Sequence, residues 1–258
     1  MRKIKSFLRR SETAGTVRAF ILFVSTLIIG MVGPALAQRE STTPNYPQSL
    51  ESSLQALLRF IERGEPGAGL WTELAETYMD LADDLLTDEE KRQRAYQEGA
   101  KAAKHAFEFQ DSNAQAHFLY AANLGSAERL KGLTNAAMKV KEIKQHVARA
   151  IELEPTHAQA LQMMGGLLME LPWFLGGDEK KAQEYFERAI TADGNFTNAR
   201  ILLAKLYKKQ DRIEEAKKQL EAVIHAEHPH YPYTWARKFK PEAERLLKEL
   251  AEAGSASH

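Results

Sequence analysis

From Leu50 almost to the end of the chain, apolar residues recur three and four positions apart, with few β-branched runs. That spacing lines up on one face of a helix with 3.6 residues per turn, so the pattern predicts a succession of amphipathic helices. Leu54, Leu57, Leu58 and Ile61 make the first such face, and Gly64-Glu65-Pro66-Gly67-Ala68-Gly69 ends it. Pro229 interrupts the pattern near the end, after which Pro241 to Ala251 reads as a last helix covering an exposed core edge. Residues 38–48 (QRESTTPNYPQ) are polar, hold two prolines and show no apolar period, so they read as a flexible linker.

The helices repeat. Ala106-Phe107-Glu108-Phe109-Gln110-Asp111 returns 44 residues later as Ala150-Ile151-Glu152-Leu153-Glu154-Pro155, and again, degenerate, at Ala189-Ile190-Thr191-Ala192-Asp193. A 34-residue period links Ala182, Phe186 and Ile190 to Ala216, Leu220 and Ile224. Trp71, Leu74, Ala75 and Tyr78 open one unit, and Arg200, Leu203, Ala204 and Tyr207 open the fourth. This alternation of large and small residues resembles the tetratricopeptide repeat. It implies an all-α solenoid of helical hairpins over residues 49–253, with about four A/B helix pairs and a C-terminal capping helix. Units starting at Ala68, Ala114, Ala158 and Thr197 are 46, 44 and 39 residues apart, so each carries an insertion beyond 34. The first two insertions fall around Leu85–Asp88 and Lys131–Thr134, and the third contains Leu171–Asp178.

Two surfaces are candidates for function. In such a solenoid, helix A residues facing away from helix B line a concave groove, which by repeat position predicts Thr72, Glu76, Phe118, Ala122, Gln162, Met169, Ile201, Lys205 and Lys208. The second is the loop of Pro172, Trp173, Phe174, Gly176, Gly177 and Asp178. There Pro172 stops one helix, the glycines permit positive φ, and Asp178 is placed to cap the next. Its aromatics are either tucked beneath the loop or displayed, and the tendency of large rings to bury favours the tucked form. Asp83-Asp84 and Asp88-Glu89-Glu90 read as solvated helix ends. His225, His228 and His230 lie close together, but Pro229 and Pro232 make that segment irregular, and no metal is expected there. His105, His117, His146 and His157 stand singly in helical patterns, which suits surface or packed positions.

Charge and the first residues set the setting. Six basic residues and one acid precede Gln38, out of 35 of each sign, so the remainder carries a formal −5. A nucleic-acid partner, which needs concentrated cationic surface, is not expected. Twenty uncharged residues separate Arg18 from Arg39, apolar from Ala19 to Val32 and followed by Pro34 and Ala35-Leu36-Ala37. This order predicts a signal peptide over residues 1–37 and a periplasmic location, the competing reading being an uncleaved N-terminal helix anchored in the inner membrane. Cysteine is absent, so stability comes from packing alone. No nucleophile motif, phosphate loop or paired metal-ligand helix occurs, and neither catalysis nor a cofactor is expected.

The strings Lys141-Glu142-Ile143-Lys144 and Ala150 to Pro155, then Gly165, Leu171-Pro172-Trp173-Phe174-Leu175-Gly176-Gly177-Asp178 and Lys181-Ala182, extend a further resemblance over roughly residues 95–250. They resemble the T component associated with bacterial TRAP transporters and, more distantly, the regulator of microtubule dynamics family. The transporter resemblance implies a periplasmic accessory with a solute-binding protein as partner and a ligand passage through the helical body. The sequence departs from that pattern in lacking a lipobox Cys. The expected function is protein–protein interaction in the cell envelope, with carriage of a small apolar or acidic ligand as the alternative.

Overall fold

The computed structural model describes residues 45–64 and 66–255, and among these all regular structure is helical. Helix α1 (Ser49–Arg63) precedes four antiparallel hairpins: α2 (Ala68–Asp80) with α3 (Glu89–Phe109), α4 (Ala114–Lys131) with α5 (Leu133–Leu153), α6 (Ala158–Glu170) with α7 (Glu179–Ala192), and α8 (Thr197–Lys209) with α9 (Ile213–Ile224). Helix α10 (Lys240–Ser255) closes the row. Asp88, Asn113, His157 and Asp178 sit at N-cap positions and accept from the backbone N–H three residues on, which satisfies donors that the first helical turn leaves open. Fully buried Ala75, Ala103, Ala121, Ala150, Ala182 and Ala204 let paired helices approach. Gly165 extends this to the limit: a Cβ there would stand 2.7 Å from the Phe186 ring.

The insertions lengthen helices more than loops. α4 runs 18 residues and α5 runs 21, with a single glycine between them, so the extra residues expected as a loop near Lys131 join the hairpin itself. In the first unit α2 continues as a π-helical turn over Leu81–Leu85, which holds Asp83 and Asp84. These two carboxylates are not the solvated helix end that the sequence suggested. Tyr96 donates to Asp83 Oδ1 at 2.6 Å and Tyr46 donates to Asp84 Oδ2 at 2.6 Å. Burial pushes the Asp83 carboxyl up to about 6, against the pull of the Lys238 ammonium. Residues 45–48, the described end of the expected linker, form a turn whose Tyr46 also packs edge-on against Tyr233, with centroids 5.2 Å apart. The expected signal peptide lies outside the described residues.

After α9 the chain does not stop at the last hairpin. His230 donates its backbone N–H to Asn195 O at 3.0 Å, and fully buried Tyr231 accepts from Gln159 Nε2 at 3.2 Å. A helical turn (Pro232–Thr234) and a π-helical turn (Trp235–Phe239) follow, and Lys238 Nζ reaches both Asp83 O and Asp84 Oδ1 at 2.9 Å. The segment thus runs from the last hairpin past α6 and the approach to α8 to the turn of the first hairpin. α10 then buries Ala243, Leu246 and Leu250, and its Glu242 and Glu249 pair with Lys205 and Lys208 of α8 at 2.9 and 2.7 Å.

Candidate functional site

The starts of the A helices bound a cleft of about 670 Å³. α2 supplies Thr72, Glu73 and Glu76; Asn113 and Gln115 come from the start of α4; Glu154, His157 and Gln159 flank the start of α6; and Asp193 with Phe196 precede α8. His230 and Tyr231 of the C-terminal segment complete the wall. The side chains are tied across helices. Thr72 Oγ1 donates to Ala68 O at 2.8 Å and accepts from Asn113 Nδ2 at 2.9 Å, and Gln115 Nε2 donates to Glu76 Oε1 at 3.4 Å.

Two electrostatic contributions oppose each other here. Helix N-termini favour anions, but Asn113 and His157 already accept from the exposed donors of α4 and α6, and an end effect amounts to about 0.3–1 kcal/mol. Four acidic side chains, Glu73, Glu76, Glu154 and Asp193, line the same space, and none of its described lining residues is Lys or Arg. Burial pushes His157 down to about 4, which keeps the ring neutral and its Nδ1 able to accept from Ala160 N. The Asp193 carboxyl is met by His230 Nδ1. The carboxylates outweigh the helix ends, so the cleft is acidic.

Of the residues expected in a groove, Thr72 and Glu76 line this cleft. The others do not. Phe118, Ala122, Gln162, Met169 and Ile201 are buried in the body, and Glu76 is itself only 4% exposed. The reason is register: the face turned from helix B meets the next A helix instead of solvent. Glu76 bonds to Gln115 of α4, the Phe118 ring lies 5.2 Å from that of His157 at the start of α6, and Gln162 accepts from Asn198 of α8 at 3.1 Å. Lys205 and Lys208 are held by the acids of α10 and are not among the residues lining the cleft.

The Pro172–Asp178 loop also corrects an expectation. Trp173, Phe174 and Leu175 are not tucked under it but stand 84%, 67% and 53% exposed on a 3-10 turn. The space beneath is filled by backbone. Asp178 N donates to Leu168 O at 2.9 Å, and Gly177 sits so close to Leu171 that a Cβ would lie 1.7 Å from its carbonyl oxygen. Gly176 takes the left-handed conformation at φ 87°, and Asp178 caps α7 by accepting from Lys181 N at 3.0 Å, as its position suggested.

Sequence reasoning missed Glu73, Glu154, Gln159, Asp193, Phe196 and Tyr231. The signal available was positional: Glu154 and Asp193 occupy equivalent places just before A helices, one repeat apart. His230 was noticed only as one of three neighbouring histidines, yet it turns to Asp193. The single histidines are packed against rings, His105 on Trp71 at 4.7 Å and His117 stacked on Phe107 at 4.8 Å.

Residues 36–172 match the family model described as Regulator of microtubule dynamics protein 1-3, and residues 175–236 match a tetratricopeptide repeat model. Regulator of microtubule dynamics protein 1 of Bos taurus is 30% identical over 180 residues, covering 64% of this chain and 56% of that protein. Protein 3 of the same species is 27% identical over 211 residues, 75% of this chain and 44% of that one. The chain therefore spans about half the length of these curated relatives. A thermophilic tetratricopeptide protein of Thermus thermophilus shares the fold, with a TM-score of 0.55 at 14% identity over 73% of this chain and 89% of that one. The resemblance that the loop string carried only distantly is thus the one shown, and the transporter T-component resemblance is not. These mammalian relatives, from cells without a periplasm, overturn the expected periplasmic location, its inner-membrane alternative included. The solute-binding partner loses its premise with it.

Proposed function

We propose that this chain, which belongs to the regulator of microtubule dynamics protein 1-3 family, is a non-enzymatic interaction module whose cleft docks a cationic segment of a protein partner. The observation that carries this is the charge of the cleft: Glu73, Glu76, Glu154 and Asp193 with no described Lys or Arg among its lining residues. Its volume of about 670 Å³ suits a few side chains of an extended segment, and its walls come from four successive hairpins, so many shallow contacts add along the surface. Glu154 is exposed at the rim, where an incoming Lys or Arg would reach it. Fluorescence anisotropy with a labelled Lys/Arg-rich peptide and its Glu-substituted counterpart tests the reading. The basic peptide is expected to bind, more weakly at higher salt, and Glu73→Lys with Glu154→Lys is expected to weaken it about tenfold or more. A preference for the acidic peptide, or indifference to the double substitution, would remove the reading.

The relatives' names supply a second reading, that the chain acts on microtubule dynamics, supported by the 30% identity over 180 residues. Co-sedimentation with polymerised tubulin checks it. Pelleting abolished by the same double substitution would join the two readings, and failure to pellet would leave only the first.

A further inference from the structure

Trp173, Phe174 and Leu175 are three of the six exposed large apolar side chains among the described residues, and they are consecutive. Trp173 is 84% exposed and its recorded ring contact is an edge-on one with neighbouring Phe174, centroids 6.0 Å apart, so this is a projecting knob and not the wall of a groove. Its backbone is fixed: Leu175 N and Gly177 N both donate to Pro172 O, at 2.9 and 3.0 Å, and Gly176 N donates to Trp173 O at 3.0 Å. Holding apolar side chains out in water on a rigid turn is unfavourable unless something covers them.

The surrounding charge indicates what does. Lys144 Nζ lies 3.4 Å from where a Cβ on Gly176 would stand, Lys141 is one turn away on the same face of α5, and exposed Lys180 opens α7. Among the described residues Lys144 and Lys180 have no carboxylate partner, whereas the nearby acids are engaged: Asp178 caps α7 and pairs with Lys181, and Glu179 pairs with Lys209 at 2.7 Å. We infer that the Trp173-Phe174-Leu175 knob docks the protein on a lipid surface bearing anionic headgroups, the rings entering the headgroup boundary and the lysines meeting the charge. An indole on a projecting turn suits that boundary, where its flat amphipathic ring is favoured, and cations beside it add attraction to an anionic leaflet.

The test uses the full chain with phosphatidylcholine vesicles made with and without phosphatidylserine, read by flotation and by tryptophan emission. Trp71 and Trp235 are half-buried, so a blue shift on adding vesicles reports Trp173. The expected result is that shift, flotation favouring phosphatidylserine, about tenfold weaker binding for Trp173→Ser with Phe174→Ser, and loss of the lipid preference for Lys144→Glu with Lys180→Glu. All four positions face solvent or its edge, so an unchanged thermal melt is expected. Three results would overturn the proposal: no shift, flotation equal in the serine variant because another segment of the chain carries it, or a self-association abolished by that variant without any vesicle binding, which would seat the knob in a second copy.

Discussion

Gly177 and Gly194 differ in what an added Cβ would meet, and that difference sets the expected cost of adding a methyl group. At Gly177 a Cβ would meet the Leu171 carbonyl oxygen at 1.7 Å, a backbone atom that cannot swing aside, whereas at Gly194 nothing lies within 4 Å. Gly177→Ala is therefore expected to lower unfolding free energy by about 2–4 kcal/mol and Gly194→Ala by less than about 0.5 kcal/mol, measured by urea denaturation. Asp83 gives a pH signature at the same scale. Its carboxyl holds a proton up to about pH 6 in the folded chain but releases it near 3.8 when unfolded, so its contribution is full below 3.8 and is lost as pH rises to 6. The loss amounts to about 3 kcal/mol at most. Glu242 works in the opposite sense: Arg245 and Lys205 hold its carboxyl down to about 2 despite burial, so its contribution is present above 4.5 and lost as pH falls. Subtracting the pH dependence of Asp83→Asn from that of the parent isolates the first effect. A difference that is flat between about pH 4 and 6 would mean that Asp83 stays ionised.

Elements are held chiefly by apolar burial, and α10 shows the ratio. Its Lys208–Glu249 pair is about 40% exposed on both sides and is expected to contribute under about 1 kcal/mol. Leu246 is 5% exposed, and Leu246→Ala is expected to cost about 2–4 kcal/mol. Comparing denaturant midpoints of Glu249→Gln and Leu246→Ala checks this; equal losses would assign the helix to its ion pairs. What was legible in the sequence follows the same division between local and distant causes. The units expected from Ala68, Ala114, Ala158 and Thr197 begin at the first residues of α2, α4, α6 and α8, because apolar period and capping residues act within a few positions. Phe118, Gln162 and Ile201 were misplaced because their burial depends on how one hairpin lies on the next, which no single period encodes. Trp173 was misplaced for another reason: ring size argues for burial, but the close approach of Gly177 to Leu171 already fills the space. The acidic cleft was illegible as a whole, since His230 and Tyr231 arrive from a segment that the repeat pattern does not describe.

An open solenoid frays from its ends, because each repeat touches only its neighbours and the terminal units are held from one side. This chain departs from that arrangement through contacts between residues 150 and more positions apart. Asp84, with a side chain 0% exposed, accepts from Tyr46 just ahead of α1 and from Lys238 just ahead of α10, and Thr234 stands at 3.5 Å. Breaking a buried pair by removing one partner costs about 3–5 kcal/mol, because the remaining group keeps its desolvation without its counter-charge. Asp84→Ala should therefore release both ends together. In hydrogen exchange, the amides of α1 and of residues 231–239 are expected to lose protection in parallel, while α4 and α5, packed on both sides, keep theirs. Loss confined to α1 would mean that the C-terminal segment is held by Tyr231 and Trp235 alone and that the first and last hairpins open independently. Parallel loss would make the closing segment the element that turns a row of repeats into one cooperative unit, and the same segment supplies His230 and Tyr231 to the cleft. The shape of the cleft would then follow the state of that closure, so Asp84→Ala is also expected to weaken the basic peptide without touching a residue that lines its site.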